Sequence, residues 1–349
     1  MDSRRRRILE SVLALFPASA APVTRVGIEL ECFVDPAAGG RFGWNDHLAW
    51  QGRLRRGLLC RMPTVASLDL EPGGQWELRS VALDGPEGLR AFARDARRIE
   101  EWLRDEDCRV AFQGIRPGGT AGRVISPDRR ARVLREYLQR RSRAAAEMMA
   151  DTAACQLTLD PTPWTDVLEL LRAVVRLCDE LERRWNPWRP GPSRREIWAQ
   201  VDPERCVPPR GMIEGTWSDE ACLDHVLSRP SIVVAAADGR LIPFEGSFYD
   251  AAAALPVGDD LAARFARFMK HIYYPVKPRV MPELRLLDSR EPERLAELEH
   301  LLSGLGLPGW CSGARRPASS AAAFTPVRGP LLSRAVQEST AARSGSRSR

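Results

Sequence analysis

Residues 67–83 read SLDLEPGGQWELRSVAL: a strand-like run that sets Glu71, Gln75 and Glu77 around the glycine pair Gly73-Gly74. Apolar residues continue through Trp76, Leu78 and Val81, so the stretch reads as a strand entering a core. A carboxylate facing a sheet interior has to be paired, hydrogen-bonded or metal-bound. The same tension recurs elsewhere. In RVGIELECFV (25–34) Glu29 and Glu31 stand two apart on a strand and therefore share a face. In MPELRLLD (281–288) Glu283 precedes Arg285 by two. Gathered on one concave face, Glu29, Glu31, Glu71, Glu77 and Glu283 would repel one another unless a divalent cation neutralised them. With few histidines nearby they select a hard cation, Mg²⁺ first and Mn²⁺ next. The competing reading puts the acids on the solvated side of an antiparallel sheet, and for an isolated E-x-E pair it carries most of the weight.

Around these stretches the hydrophobic periodicity alternates between the two regular structures. Helical spacing covers 86–107, a long segment 128–150, and then 163–185, 258–272 and 291–303. Strands are expected at 25–34, 109–115, 152–160 and 281–288, and a hairpin at 231–244 with Asp238-Gly239 at its turn. A glycine-rich loop is expected at Pro117–Gly122, and WNPWRPGPSRREIW (185–198) reads as a surface loop. Strands separated by long helices, with a hairpin among them, predict an α+β architecture. The domain reading is an N-terminal amphipathic helix in 1–24, a catalytic domain over 25–305, and a disordered Ser/Arg/Ala-rich tail over 306–349.

The whole chain bounds the function. Its 349 residues, 44% of them hydrophobic, can bury a sizeable core. The net charge of +6 comes with interleaved acids and no aromatic-studded basic stripe, which argues against a nucleic-acid platform and for a cleft that attracts small anions. None of the eight cysteines forms a C-x-x-C pair. Reduced thiols in the cytoplasm are the expectation. No segment approaches the roughly 20 apolar residues that span a bilayer. There is no Walker lysine motif and no serine nucleophile elbow. The four histidines stand apart from one another in sequence and read as surface or packed residues.

Taken together, several motifs resemble the glutamate–cysteine ligase family of the plant and ergothioneine-pathway kind, within the carboxylate–amine ligases. They are VGIELE (26–31), SLDLEPGGQWELRS (67–80), DRRARVLREYL (128–138), MMADTAACQLTLD (148–160), SRREIW (193–198), LIPFEGSF (241–248) and YYPVKPRVMPELRLLDS (273–289). The resemblance implies a glutamine-synthetase-like fold, a curved and mainly antiparallel sheet forming a funnel backed by helices. It implies ATP- and Mg²⁺-dependent chemistry on small-molecule substrates. The γ-carboxylate of glutamate takes the γ-phosphoryl group of ATP, and the amine of cysteine then displaces phosphate. By position it implies that Glu29, Glu31, Glu71, Glu77 and Glu283 are metal ligands. Arg285 would face the transferring phosphoryl group and Arg279 would hold an anionic group. Gln75 falls in the same pocket, and Gln156 is implied as another ligand or substrate contact. Arg194 and Trp198 match a family pair, although a solvated basic loop explains Arg194 equally well. Arg135 and Tyr137 match a helix beside the substrate site, and a charged helix face with one packed tyrosine explains them equally well.

Three departures separate the chain from the family pattern. Lys277 stands where arginine is usual. Pro282 stands where leucine is usual, which places that strand at an edge or a bulge. The helical region that usually follows the E-x-R strand is replaced by one helix and the Ser/Arg/Ala-rich tail. An unusual amine acceptor, or a ligase-like binding protein without turnover, are therefore the alternatives to γ-glutamylcysteine synthesis.

Overall fold

The computed structural model describes residues 2–19, 21, 23–116, 126–186, 191–236, 240–254 and 261–305, all within the unit Met1–Gly313. The expected glycine-rich loop, the hairpin turn at Asp238-Gly239, Trp188 and the expected tail lie outside the described residues.

The architecture is α+β, as expected. Its spine is β1 (Arg25–Pro36), in which apolar Val26, Ile28 and Leu30 alternate with Gly27, Glu29 and Glu31. Around it run β2 (Val65–Leu70), β3 (Trp76–Ser80), β4 (Leu83–Asp84), β5 (Cys108–Ala111) and β6 (Cys155–Leu159). A separate hairpin follows, β7 (Val233–Ala235) with β8 (Leu241–Pro243), and then β9 (Val276–Lys277) and β10 (Glu283–Leu284). The main sheet runs β2-β3-β1-β6-β10-β9, with β4 and β5 also on β1, and every pairing is antiparallel.

Register sorts the two faces. Leu30 opposes Leu78 on one side and Cys155 on the other, Leu68 opposes Leu78, and Leu284 opposes Leu157. These side chains are at most 2% exposed and form one core with α3 (Gly85–Asp105) and α6 (Trp164–Trp185). Residues of opposite parity face away from that core. The carboxylates therefore do not enter the apolar interior, as the first reading of 67–83 suggested; they line the sheet's other face.

The glycine pair shapes the β2–β3 turn. Gly74 has φ +85°, and a Cβ on Gly73 would lie 2.3 Å from the Ala150 Cα. The turn is therefore tucked against α5 (Ala145–Ala150). The backbone closes it through Gly74 N–H to Glu71 O (2.9 Å) and Glu71 N–H to Gln75 O (2.8 Å).

Several local expectations need correction. The long helix over 128–150 is two helices, α4 (Arg129–Arg141) and α5, because Ser142 adopts extended backbone and its hydroxyl accepts from Ala144 N–H. The loop reading of 185–198 misses α7 (Arg194–Val201), which opens with a capping box between Ser193 and Glu196. The sequence reading also passes over α2 (Trp44–Gly57). The strand expected over 281–288 pairs regularly only at Glu283–Leu284, since the prolines at 275, 278 and 282 supply no ladder donor. Pro282 does not put that strand at an edge: β10 lies between β6 and β9, and the Pro282 carbonyl accepts from Leu159 N–H at 2.9 Å. No helix among the described residues is long and apolar enough to cross a membrane.

Candidate active site

The polar face is built by cross-strand pairing. Asp69 of β2 opposes Glu77 of β3, and Glu77 opposes Glu31 of β1. Glu29 of β1 opposes Arg79 on one side and Gln156 of β6 on the other. Thr158 opposes Glu283 of β10, and Glu283 opposes Lys277 of β9. Residues distant in sequence thus form one continuous band.

The charges in that band are unevenly divided. At the β10 end, Glu283 is only 2% exposed and meets Lys277 at 2.8 Å, Arg279 at 2.6 Å and Arg285 as a third partner. At the β3 end, one arginine serves three acids. Arg79 lies 2.5 Å from Glu77, 3.3 Å from Asp69 and 3.5 Å from Glu29. Among the described residues no cation forms an ion pair with Glu31 itself, although Arg194 and Arg285 act on it from farther off. Its carboxylate accepts from Gln156 Nε2 (2.7 Å) and from Ala154 N–H (2.8 Å). The Gln156 carbonyl oxygen accepts from Arg285, so this side chain joins the two ends.

Proton affinities follow the same division. Burial, together with the charge of Glu71, pushes Glu31 up to about 7. Burial, with Glu29 and Glu71 adding repulsion, pushes Glu77 well above the usual carboxylate range, and burial with Glu283 raises Glu29. Burial alone would raise Glu283 as well, but Lys277, Arg279 and Arg285 outweigh it and hold its carboxyl below the usual range. Lys277 is pulled down to about 7 by burial and by repulsion from Arg285.

Arg285 is flanked by aromatic rings. Its guanidinium lies 5.7 Å from the Trp198 ring and 5.9 Å from that of Tyr273, and the two rings meet edge to face at 4.9 Å. Trp198 is fixed by its indole N–H to Thr152 Oγ1 at 3.2 Å. Arg194 is not in a solvated loop. It is 6% exposed, pairs with Asp288 at 3.2 Å, and donates to the carbonyls of Leu287 (3.1 Å) and Arg285. Its role here is to brace the segment that carries Arg285. Gln75 is buried, donating to the carbonyls of Thr152 (2.8 Å) and Met149 (3.2 Å). Tyr137 and the half-buried Arg135 sit on α4. Tyr137 lines a cavity of about 160 Å³ with Arg140, Arg141, Pro230 and Glu245, to which no residue of the carboxylate band contributes. Arg79 and Asp69 take part in the band although the sequence reading named neither.

Among the described residues, no three His, Cys, Asp or Glu side chains close around a common point as a metal centre. The donors nevertheless fit a hard divalent cation. They are carboxylate oxygens in excess over the cations around them, and among the described residues the buried Gln75 Oε1 has no hydrogen-bond donor.

Fold and site together define an α+β chain with an antiparallel sheet, apolar on one face and charged on the other, the charged face acidic at one end and cationic at the other. No protein-family model matches the chain. It is 26% identical over 293 residues to the glutamate–cysteine ligase EgtA of Mycolicibacterium smegmatis, which covers 77% of this chain and 66% of that ligase. The chain thus resembles the glutamate–cysteine ligases, as its motifs imply, and spans about two thirds of that relative's length. The solved structure of apo GmaS without ligand is similar over 88% of this chain and 69% of its own, at 14% identity and a TM-score of 0.32.

Proposed function

We propose that the chain is an ATP- and Mg²⁺-dependent carboxylate–amine ligase that joins the γ-carboxylate of glutamate to the amine of cysteine. The division of the polar face supports this most directly. Phosphoryl transfer needs cations around the equatorial oxygens and a place for the metal beside them. The β10 end offers the first and the β3 end the second.

In this reading Arg285 holds the transferring phosphoryl group, kept in line by the Trp198 and Tyr273 rings and by Arg194 behind its backbone. Arg279 and Lys277 take further anionic oxygens. Glu29, Glu31, Glu71 and Glu77 would hold the metal, which when bound would neutralise phosphate charge, and Glu283 would be a further ligand. Glutamate's γ-carboxylate attacks the γ-phosphorus with loss of ADP. The cysteine amine then attacks the acyl carbon, the C–O bond to phosphate breaks, and the amine gives up a proton. Gln75, Gln156, Arg135 and Tyr137 complete the substrate surroundings.

The purified chain with ATP, Mg²⁺, glutamate and cysteine should release ADP and phosphate and form γ-glutamylcysteine. Turnover with another amine in an acceptor screen keeps the ligase and changes the acceptor. Calorimetric binding of ATP or glutamate with no ADP from any acceptor would replace it by a binding protein.

A further inference from the structure

Arg79 stands where the acid-rich end would receive a cation. Its guanidinium touches Glu77, Asp69 and Glu29 at once, and these are acids from three neighbouring strands. Glu77 is 2% exposed, whereas the Arg79 side chain is 44% exposed, so the cation approaches from the solvent side of a buried carboxylate. Asp69 is itself open to water on that side and lies 3.7 Å from a second arginine, Arg55. The longer contacts to the partly exposed Asp69 and Glu29 are of the weak, exchangeable kind, and the short contact to buried Glu77 is the stronger hold.

We infer that Arg79 is a displaceable internal counter-ion: it holds the Glu29–Glu77 site in the empty protein and withdraws to Asp69 when a divalent cation enters. The inference rests on the metal-binding reading above and adds a competitor built into the chain. Arg79 already holds one oxygen of Glu29 and one of Glu77, so a metal on the same two carboxylates would lie within a few ångströms of the guanidinium and compete with it as a like charge. Metal affinity is accordingly set by the strength of the Arg79 pairings as well as by the carboxylates. Asp69 contributes by giving the displaced guanidinium a partner.

The test is a Mn²⁺ titration of the full chain without nucleotide, followed by loss of the free-ion paramagnetic resonance signal. Arg79→Gln should bind Mn²⁺ tighter than the unmodified chain by about tenfold or more, the scale expected from removing a like charge a few ångströms away. Arg79→Met, which keeps the aliphatic stem, should do the same and substitutes for it should Arg79→Gln fold poorly. Arg97→Gln, which makes the same change in net charge on the exposed face of α3, should leave the affinity unchanged. Asp69→Asn should weaken Mn²⁺ binding in the unmodified chain and have no effect beside Arg79→Gln. Equal affinities of the unmodified chain and both neutral variants would overturn the role of Arg79 while leaving the metal reading in place. No Mn²⁺ binding by any of them would overturn both.

Discussion

Glu31 and Glu77 stand directly opposite each other on adjacent antiparallel strands, β1 and β3, both almost completely buried. Like charges in that position destabilise a sheet. The pair persists because Glu31 takes donors from Gln156 and Ala154, Glu77 takes Arg79, and both bind protons more readily than ordinary carboxylates.

Removing the charge of Glu31 should change stability in a pH-dependent way. Folding raises its pKa from 4.5 to about 7, so between those values the folded chain binds more protons than the unfolded one. Its contribution to stability therefore falls as pH rises through that window and is constant above it. Relative to Glu31→Gln, the unmodified chain should lose up to about 3 kcal/mol between pH 4.5 and 7.5 in metal-free urea denaturation. A difference independent of pH would remove Glu31 from the coupled acids.

Glu283→Gln should be costly on two counts. It leaves Lys277, Arg279 and Arg285 crowded together without their shared carboxylate, a loss of about 3–5 kcal/mol by analogy with other broken buried pairs. The proposed ligase turnover should fall by at least about 10²-fold, the usual scale for losing a charge-organising group. ADP release and a thermal melt measured on the same preparation read the two effects separately.

Arg194→Ala should act through Arg285. It removes the Arg194 ion pair of Asp288, which is 2% exposed, and frees the carbonyls behind Arg285. Stability should drop by about 3 kcal/mol or more. The double variant with Asp288→Asn should lose less than the sum of the single losses, as measured in a double-mutant cycle.

Gly73→Ala should displace the β2–β3 turn, since the added methyl would sit 2.3 Å from the Ala150 Cα and 2.7 Å from Gln75 Oε1. A destabilisation of about 1–3 kcal/mol is expected from overpacking. The same substitution at Gly57, where a Cβ meets nothing within 4 Å, is the control.

The period-two rule that places Glu29 with Glu31 was enough to predict that these acids share a face, and apolar alternation was enough for β1, α3 and α6. Applied once more, that rule would have added Arg79 to Glu77, since the two stand two apart on one strand. The capping box at Ser193 was a readable sign of α7, hidden by the prolines before it. The pairing of Arg194 with Asp288 had no local sign, because it depends on where a helix and a distant strand exit meet in space. The three-cation grip on Glu283 is of the same kind: Lys277 and Arg279 reach it only after β9 folds back along β10.

β1 shares ladders with four other strands, and its β6 partner is made far later in the chain. During synthesis from the N-terminus, that edge of β1 emerges with open backbone groups and the apolar side chains of Val26, Ile28 and Leu30, and waits for residues 155–159 to close it. Such waiting edges invite pairing with other chains. Production of this protein should therefore be sensitive to translation speed and to chaperone supply, and truncations ending before β6 should aggregate.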